Sequence, residues 1–391
     1  MTGTTASKGL ATILALAAIS AMGSMAIHML VPALPALAHE LDLRPEQAQL
    51  AISVYLAGLG GGQLLAGPLV DRVGRRPVLL AGLALYIAGA LASALAPGLP
   101  LLLAARLVQA VGGAAGVVTA RVMVSDIFGR EESARRQATL MMIVLVSPAL
   151  APVIGGLLAD LGGWRLIPAV LTGVAFMAML VALLRLPETR RIDADQAKPH
   201  LARDVARLLR NRRFVLAALT LAGGSSALYM FLASAPFLLV RSFGLSESEA
   251  GPCFLAVAAA SIAGTRLVGW LARRTDALKA GTGLILAGSL IELALAAAQV
   301  TGPLPLIAPM LLLGLGAGIV GPSAITLVLF AEEGLAGTAT SLAGATQMLA
   351  SGFATAVLGH FAPIDMERLG IALVAAALLA FVAGLFQPRS I

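Results

Sequence analysis

The chain is 391 residues long, 59% of them hydrophobic and 12% charged, with a mean hydropathy of +0.93 and a formal net charge of +7. A soluble domain carries about 25% charged residues, so this chain has too little polar surface for a water-soluble globule, and burial in a bilayer resolves the conflict. A single cysteine, Cys253, excludes an internal disulfide, no Cys/His spacing suits a metal, and 4% aromatic content leaves little material for stacking nucleic-acid bases.

A membrane-spanning helix needs about 20 mostly apolar residues. Twelve such segments follow in chain order: 10–38, 48–70, 77–96, 100–124, 138–160, 165–186, 214–240, 250–272, 281–301, 304–330, 336–360 and 369–387. The first run exceeds the apolar region of a secretory signal, about 7–15 residues, and reads as a retained helix. The connections are short except for the basic stretch Pro187–Arg213. The expected organisation is therefore a six-helix bundle over 1–186, a linker over 187–213 and a second six-helix bundle over 214–391. Within the linker, Leu201–Leu209 reads as a short amphipathic helix at the membrane surface.

Arginine and lysine set the orientation, because cytoplasmic loops carry them in excess. With the N-terminus inside, twenty lie on the cytoplasmic side, and four, Arg44, Arg165, Arg241 and Arg368, lie outside. Both termini are thus expected in the cytoplasm, and the basic charge needs no nucleic-acid partner. The two halves share weak internal similarity. The stretch 41–49 (LDLRPEQAQ) corresponds to 243–251 (FGLSESEAG), Gly67 to Gly269, and Pro35 to Pro236 with a one-residue slip. Parallel six-helix repeats are a known transporter architecture.

The densest motif links the second and third segments: Gly67, Pro68, Leu69, Val70, Asp71, Arg72, Val73, Gly74, Arg75, Arg76. Glycines permit the sharp turn, and a carboxylate among arginines can form charge-assisted hydrogen bonds. The ordered pattern resembles the signature loop of the major facilitator superfamily, and the resemblance covers essentially the whole chain. It implies an all-α polytopic fold of two pseudo-symmetric six-helix bundles. It further implies a conformational latch made of Asp71, Arg72, Gly74, Arg75, Arg76 and Asp126. Asp71 would face the N-terminus of the eleventh helix near 337–341, where the helix dipole favours a carboxylate, and Arg75 would pair with Asp126. Those contacts would hold an outward-facing state. The corresponding second-half loop, 272–279, has arginine where Asp71 aligns, so the latch is expected mainly on the first half.

The fourth segment carries Arg106, Gln109 and Gly112 in an R-x-x-Q-x-x-G pattern. An arginine within an apolar span is costly and usually faces an interior cavity, although a snorkelling side chain fits as well. The pattern resembles the proton-coupling motif of the family's drug antiporters, with Arg121 further along the same segment. The fifth segment carries Pro148, Pro152, Gly155 and Gly156, in which the run A-P-x-x-G-G resembles the antiporter motif of drug exporters. Proline removes a backbone donor and kinks a helix, while paired glycines let backbones approach closely. The stretches around Met29–Pro35, Ala120–Phe128 and Ala233–Phe237 resemble the bicyclomycin/chloramphenicol resistance (Bcr/CflA) branch.

That branch usually has an acidic residue four positions before the first proline, where this chain has His28. Histidine titrates near pH ~6.5 and can carry a coupled proton; it can equally be a neutral hydrogen-bonded residue or a substrate contact. Glu292, in the ninth segment, is a second proton-site candidate, with Arg266 as a conceivable partner, but by the resemblance that helix is peripheral. Met25, His28, Tyr55, Arg106, Tyr229 and Phe231 are candidates for the substrate cavity, since methionines and aromatics suit an adaptable apolar pocket and also suit ordinary packing.

The expected function is secondary active transport by alternating access: proton-coupled efflux of small amphipathic molecules, with a proton symporter or uniporter for a metabolite as the alternative. No clustered catalytic set and no phosphate-binding loop occur in the sequence, so an enzyme is not expected. The expected energy source is an ion gradient of protons, with no cofactor and no metal. The expected partners are a small-molecule substrate and the lipid bilayer, with the chain monomeric in the bacterial inner membrane.

Overall fold

A computed structural model of the protein describes residues 3–189, 201–271, 276–332, 335–361 and 364–388, without the side chains of 3–11, 125, 128–149, 201, 202, 247 and 336. The described residues form helices and connecting turns, with no strand among them. Among the described residues, ten helices are long and apolar enough to cross a membrane, and two shorter apolar stretches, Thr12–His28 and Leu150–Gly162, bring the set to twelve. In lipid every backbone amide must be satisfied within its own segment, which is why only helices serve here.

The first expected span is not one helix. Helix α1 (Gly3–His28) stops, five residues intervene, and α2 (Leu34–Glu40) follows. Pro32 is the physical reason: it lacks the N–H that would bond the carbonyl of His28, four residues back. Leu30 and Val31 instead both donate to the carbonyl of Ile27, at 3.1 and 3.2 Å. His28 thus ends a helix beside irregular backbone.

Helices α3 (Pro45–Val73) and α4 (Arg75–Ala94) follow. The backbone is then helical from Leu99 to Gly162 (α5), where the sequence pattern predicts two separate segments. Arg106 bonds the carbonyl of Ala26, and Gly155 packs on Met29. Those two α1 contacts are three residues apart, whereas Arg106 and Gly155 would stand about 73 Å apart on a straight helix. Helix α5 therefore doubles back, and its two antiparallel arms are the fourth and fifth spans.

The remaining elements are α6 (Leu166–Arg185), α7 (Leu201–Arg210), α8 (Arg212–Phe237), α9 (Glu247–Leu271), α10 (Ala277–Ala297), α11 (Pro303–Leu329), α12 (Ala336–His360) and α13 (Met366–Leu385). Pro236 near the end of α8 is followed by a wider turn, in which the Phe243 amide donates to the Leu238 carbonyl five residues back at 2.9 Å.

Helices α1 and α3–α6 pack mainly on one another, and α8–α13 do the same. The two groups meet along α3 against α12 and along the second arm of α5 against α9, where Gly251 approaches Pro152 and Val153. The short α7 is tied to the turn between α11 and α12. Arg207 Nη2 lies 2.6 Å from Glu332 Oε1, and the Asn211 amide donates to the Ala331 carbonyl and to Glu332 Oε2. The Asn211 and Arg207 donors hold the Glu332 carboxyl below the usual carboxylate range.

Gly155 has no room for a side chain, because a Cβ there would overlap the Met29 carbonyl, whereas nothing lies within 4 Å of a Cβ at Gly173 in α6. Overpacking costs about 1–3 kcal/mol, while alanine gains up to about 1 kcal/mol over glycine inside a helix. Thermal unfolding in detergent is expected to show Gly155→Ala destabilised and Gly173→Ala unchanged or stabilised.

Candidate functional site

The centre of the molecule is organised by Arg106, which is only 2% exposed. Its side chain does not snorkel to an interface. Its Nε donates to the Ala51 carbonyl of α3 at 3.3 Å, Nη2 to the Ala26 carbonyl of α1 at 3.1 Å, and Nη1 to Gln109 Oε1 at 2.8 Å. The guanidinium carbon also lies 4.1 Å from the centroid of the Tyr55 ring. An arginine at mid-helix costs about 3 kcal/mol to insert in a bilayer. Three hydrogen bonds from a charged donor, at about 1.5–3 kcal/mol each, outweigh that cost.

His28 lies two residues after Ala26 at the end of α1 and is 6% exposed. Its Nδ1 lies 2.8 Å from the Ser24 carbonyl, an acceptor, so Nδ1 carries the hydrogen and Nε2 keeps the lone pair. The imidazole meets the Tyr229 ring of α8 at 6.0 Å between centroids, which makes it a contact between the two helix groups. Met25 lies one turn before His28 and is partly exposed. Tyr55 is fully buried, and its hydroxyl has no partner among the described residues. Phe231 departs from the expected cavity: it is fully buried and meets the Phe254 ring of α9 at a tilt, 6.0 Å between centroids, because it points to the face of α8 opposite Tyr229.

Residues that carried no signal in the sequence complete this contact. Ser53 Oγ donates to Thr355 Oγ1 at 2.8 Å, and Gln49 Nε2 to Ser234 Oγ at 3.4 Å. Within the second group, Ser225 and Ser351 pair at 3.1 Å. Isolated hydroxyls in apolar helices usually bond their own backbone, so spacing alone could not single these out. The groups are therefore closed toward the N-terminal end of α3. Toward its other end they part: nothing lies within 4 Å of a Cβ at Gly67 in α3 or Gly337 in α12.

At that open end, Arg75 Nε donates to Asp126 Oδ2 at 2.8 Å. Asp71 does not reach α12. It is 63% exposed and its nearest cation is Arg75 Nη1 at 3.7 Å, because α3 and α12 have separated there. Arg72 is exposed, and Arg76 Nη2 donates to the Leu183 carbonyl at 2.8 Å. Glu188 and Thr189 were missed by sequence reasoning. The Glu188 carboxylate accepts from the backbone amides of Arg75 and Arg76 at 3.0 and 3.1 Å, and Thr189 Oγ1 donates to Asp126 at 2.9 Å. A carboxylate at the N-terminus of α4 is favoured by the helix dipole. Gly74 lies at φ 114°, a backbone conformation that demands glycine, and a Cβ there would displace the Glu188 carboxylate 2.8 Å away.

The antiporter motif lies beside the α1 break. Gly155 packs on Met29, Pro152 faces Gly251 of α9, and Gly156 is buried; the Pro148 side chain lies outside the described residues. Arg121 is partly buried on the first arm of α5. Glu292 is fully buried on α10, which packs mainly on α11 and α13, away from His28 and Arg106. Neither carboxylate oxygen has a partner among the described residues, and the expected pairing with Arg266, which is exposed, is not formed.

Two helix groups closed at one end and parted at the other, around buried polar side chains within an apolar bundle, define an integral membrane transporter. The Major Facilitator Superfamily profile matches residues 14–355, and the chain belongs to that family. It is 31% identical over 374 residues to Multidrug resistance protein D of Escherichia coli (strain K12), covering 94% of this chain and 93% of that one. It is 32% identical over 339 residues to Chloramphenicol resistance protein of Pseudomonas aeruginosa, covering 85% and 80%. These relatives agree with the resemblance to the Bcr/CflA branch. Among solved structures, a D-xylose-proton symporter superimposes with a TM-score of 0.74 at 16% identity, covering 96% of each chain, and so shares the fold.

Lysine keeps the charge of Arg106 but not its planar fork of donors. Losing one or two of these hydrogen bonds, at about 1.5–3 kcal/mol each, is expected to slow transport in Arg106→Lys by at least roughly tenfold, measured as initial flux per folded molecule in proteoliposomes.

Proposed function

We propose that the protein is a proton-coupled exporter of small amphipathic molecules in the bacterial inner membrane. The observation that carries this reading is the His28–Tyr229 contact, where a titratable ring at the broken end of α1 touches the second helix group beside Arg106. Relatives named for multidrug and chloramphenicol resistance support it. The basic open end faces the cytoplasm together with both termini, so the conformation is inward-open and the Asp71 latch is released. Residues 1–186 and 214–391 rock against each other, joined by 187–213, and expose the central site to each side in turn. His28 accepts a proton at Nε2 from one side and gives it up on the other, while substrate occupies the space bordered by Met25, Tyr55 and Tyr229. The energy comes from the proton gradient, without cofactor or chemical conversion of the substrate. The transporter works as a monomer in lipid and has no nucleic-acid partner.

One observation favours a second reading, a uniporter or proton symporter for a metabolite. Glu292 is the one fully buried carboxylate among the described residues, and it lies away from the central contact.

The first of two measurements separates these readings, and the second tests the alternating access that both require. In proteoliposomes with an internal pH dye, amphipathic drugs are expected to evoke proton flux that His28→Ala abolishes. Flux retained in the variant removes His28 from the coupling path, and no drug-evoked flux from folded wild-type protein overturns proton-coupled drug export. In a Cys253→Ala background, Ser53→Cys with Thr355→Cys replaces a 2.8 Å pair with a cross-linkable one. Oxidation is expected to stop transport and a reductant to restore it, since the closed end must open in every cycle.

A further inference from the structure

A second polar constellation lies behind Arg106, inside the first helix group and away from the contact between groups. A small, mainly apolar cavity between α1, α4, α5 and α6 has Ser93, Arg106 and Trp164 among its lining residues. Ser93 and Trp164 are each 1% exposed, and neither Ser93 Oγ nor Trp164 Nε1 has a hydrogen-bond partner among the described residues. Such buried polar groups are paired in the great majority of cases. Ser225, Ser289 and Ser351 each donate to the carbonyl one turn back; Ser93 does not.

The indole is fixed in place. Arg165 lies over its ring at 4.6 Å and is itself held by Glu40 Oε1 at 2.7 Å and by the Ala94 carbonyl at 2.8 Å. Trp164 therefore cannot swing its N–H toward another partner without breaking that set.

The chemistry of the wall selects the occupant. Indole N–H only donates, and a guanidinium only donates, with five N–H groups. Three of those of Arg106 are engaged by Ala51, Ala26 and Gln109, and no carboxylate lies within ion-pair distance among the described residues. A buried cation without a counter-charge repels a second cation. We propose that this cavity is a binding site for one small hydrogen-bond acceptor, a water molecule or a halide, that bridges Trp164 and Ser93 to the guanidinium of Arg106. Its size suits an occupant of about one water molecule, which rules out carboxylate or phosphate ligands.

Trp164 supplies its own reporter, because the chain has only two tryptophans. In Trp270→Phe, purified full-length in detergent, fluorescence comes from Trp164 alone. A halide occupant predicts saturable quenching by bromide against a gluconate reference, weakened several-fold in Ser93→Ala. A water occupant predicts no bromide effect, together with a blue shift of several nanometres in Ser93→Val, whose added methyl fills the site and leaves the indole N–H unpaired. Ser93→Ala, which cannot crowd the helix interface, should then show a smaller shift of the same sign. Emission indifferent to bromide and to both Ser93 substitutions, or quenching that rises linearly and equally in all forms, would overturn the proposal.

Discussion

A guanidinium with no carboxylate beside it among the described residues ties three helices of the first group together. Arg106 reaches the Ala26 carbonyl of α1 and the Ala51 carbonyl of α3 from α5, so one side chain fixes three helices at one level of the membrane. In lipid such a charge has nowhere else to go. Its donors must therefore be met by backbone oxygens that a regular helix would otherwise share with its own amides. The helix that presents Ala26 ends two residues later at His28. Any movement of that terminus is felt at Arg106, and the titratable ring and the fixed charge become parts of one unit.

Prolines and glycines then decide how close the helices come. Pro32 ends α1 by leaving the His28 carbonyl without a donor, and Gly155 allows the second arm of α5 to lie against Met29, the residue after His28. Pro152, on the same arm, meets Gly251 of the opposite group. A motif that reads in one dimension as a kink and a small-residue patch is thus the place where both groups and the broken helix converge. Its rigidity serves position, since a side chain at either glycine would push α1 or α9 away from the centre.

How much of this was legible in the sequence depends on the length scale of each signal. The spans follow from apolar length, and the turn at Gly74 follows from glycine beside charge. The break in α1 was encoded by Pro32 and Pro35, yet the hydrophobic run continues through them and hides it. The fourth and fifth spans are set apart in the sequence by the charged stretch 125–137, although the backbone stays helical through it. The pairing of Arg75 with Asp126 joins residues 51 apart in sequence, and the resemblance could propose it. The partners Glu188 and Thr189, and the pair Ser53–Thr355 across 302 residues, depend on packing that no local pattern records. Phe231 shows the limit most plainly: it stands two residues from Tyr229, and a helix turns those two side chains to opposite faces.

Helix α3 carries both ends of the conformational problem. Ser53 holds the closed end through Thr355, and Asp71 at the open end is exposed, with Arg75 as its neighbouring cation. The two positions are about 27 Å apart along the helix axis, so a tilt of about 10° pivoting at one moves the other by about 5 Å. That displacement is enough to make or break a hydrogen bond, and it couples the ends in opposite senses. The energies are matched. A buried neutral hydrogen bond contributes about 0.5–1.5 kcal/mol net, and a carboxylate at a helix N-terminus about 0.3–1 kcal/mol. Contacts of that size leave neither conformation dominant by more than about a factor of ten. Protonation of a central group, or occupation of the site by substrate, can then tip the balance, which a transporter locked by stronger contacts at either end could not allow.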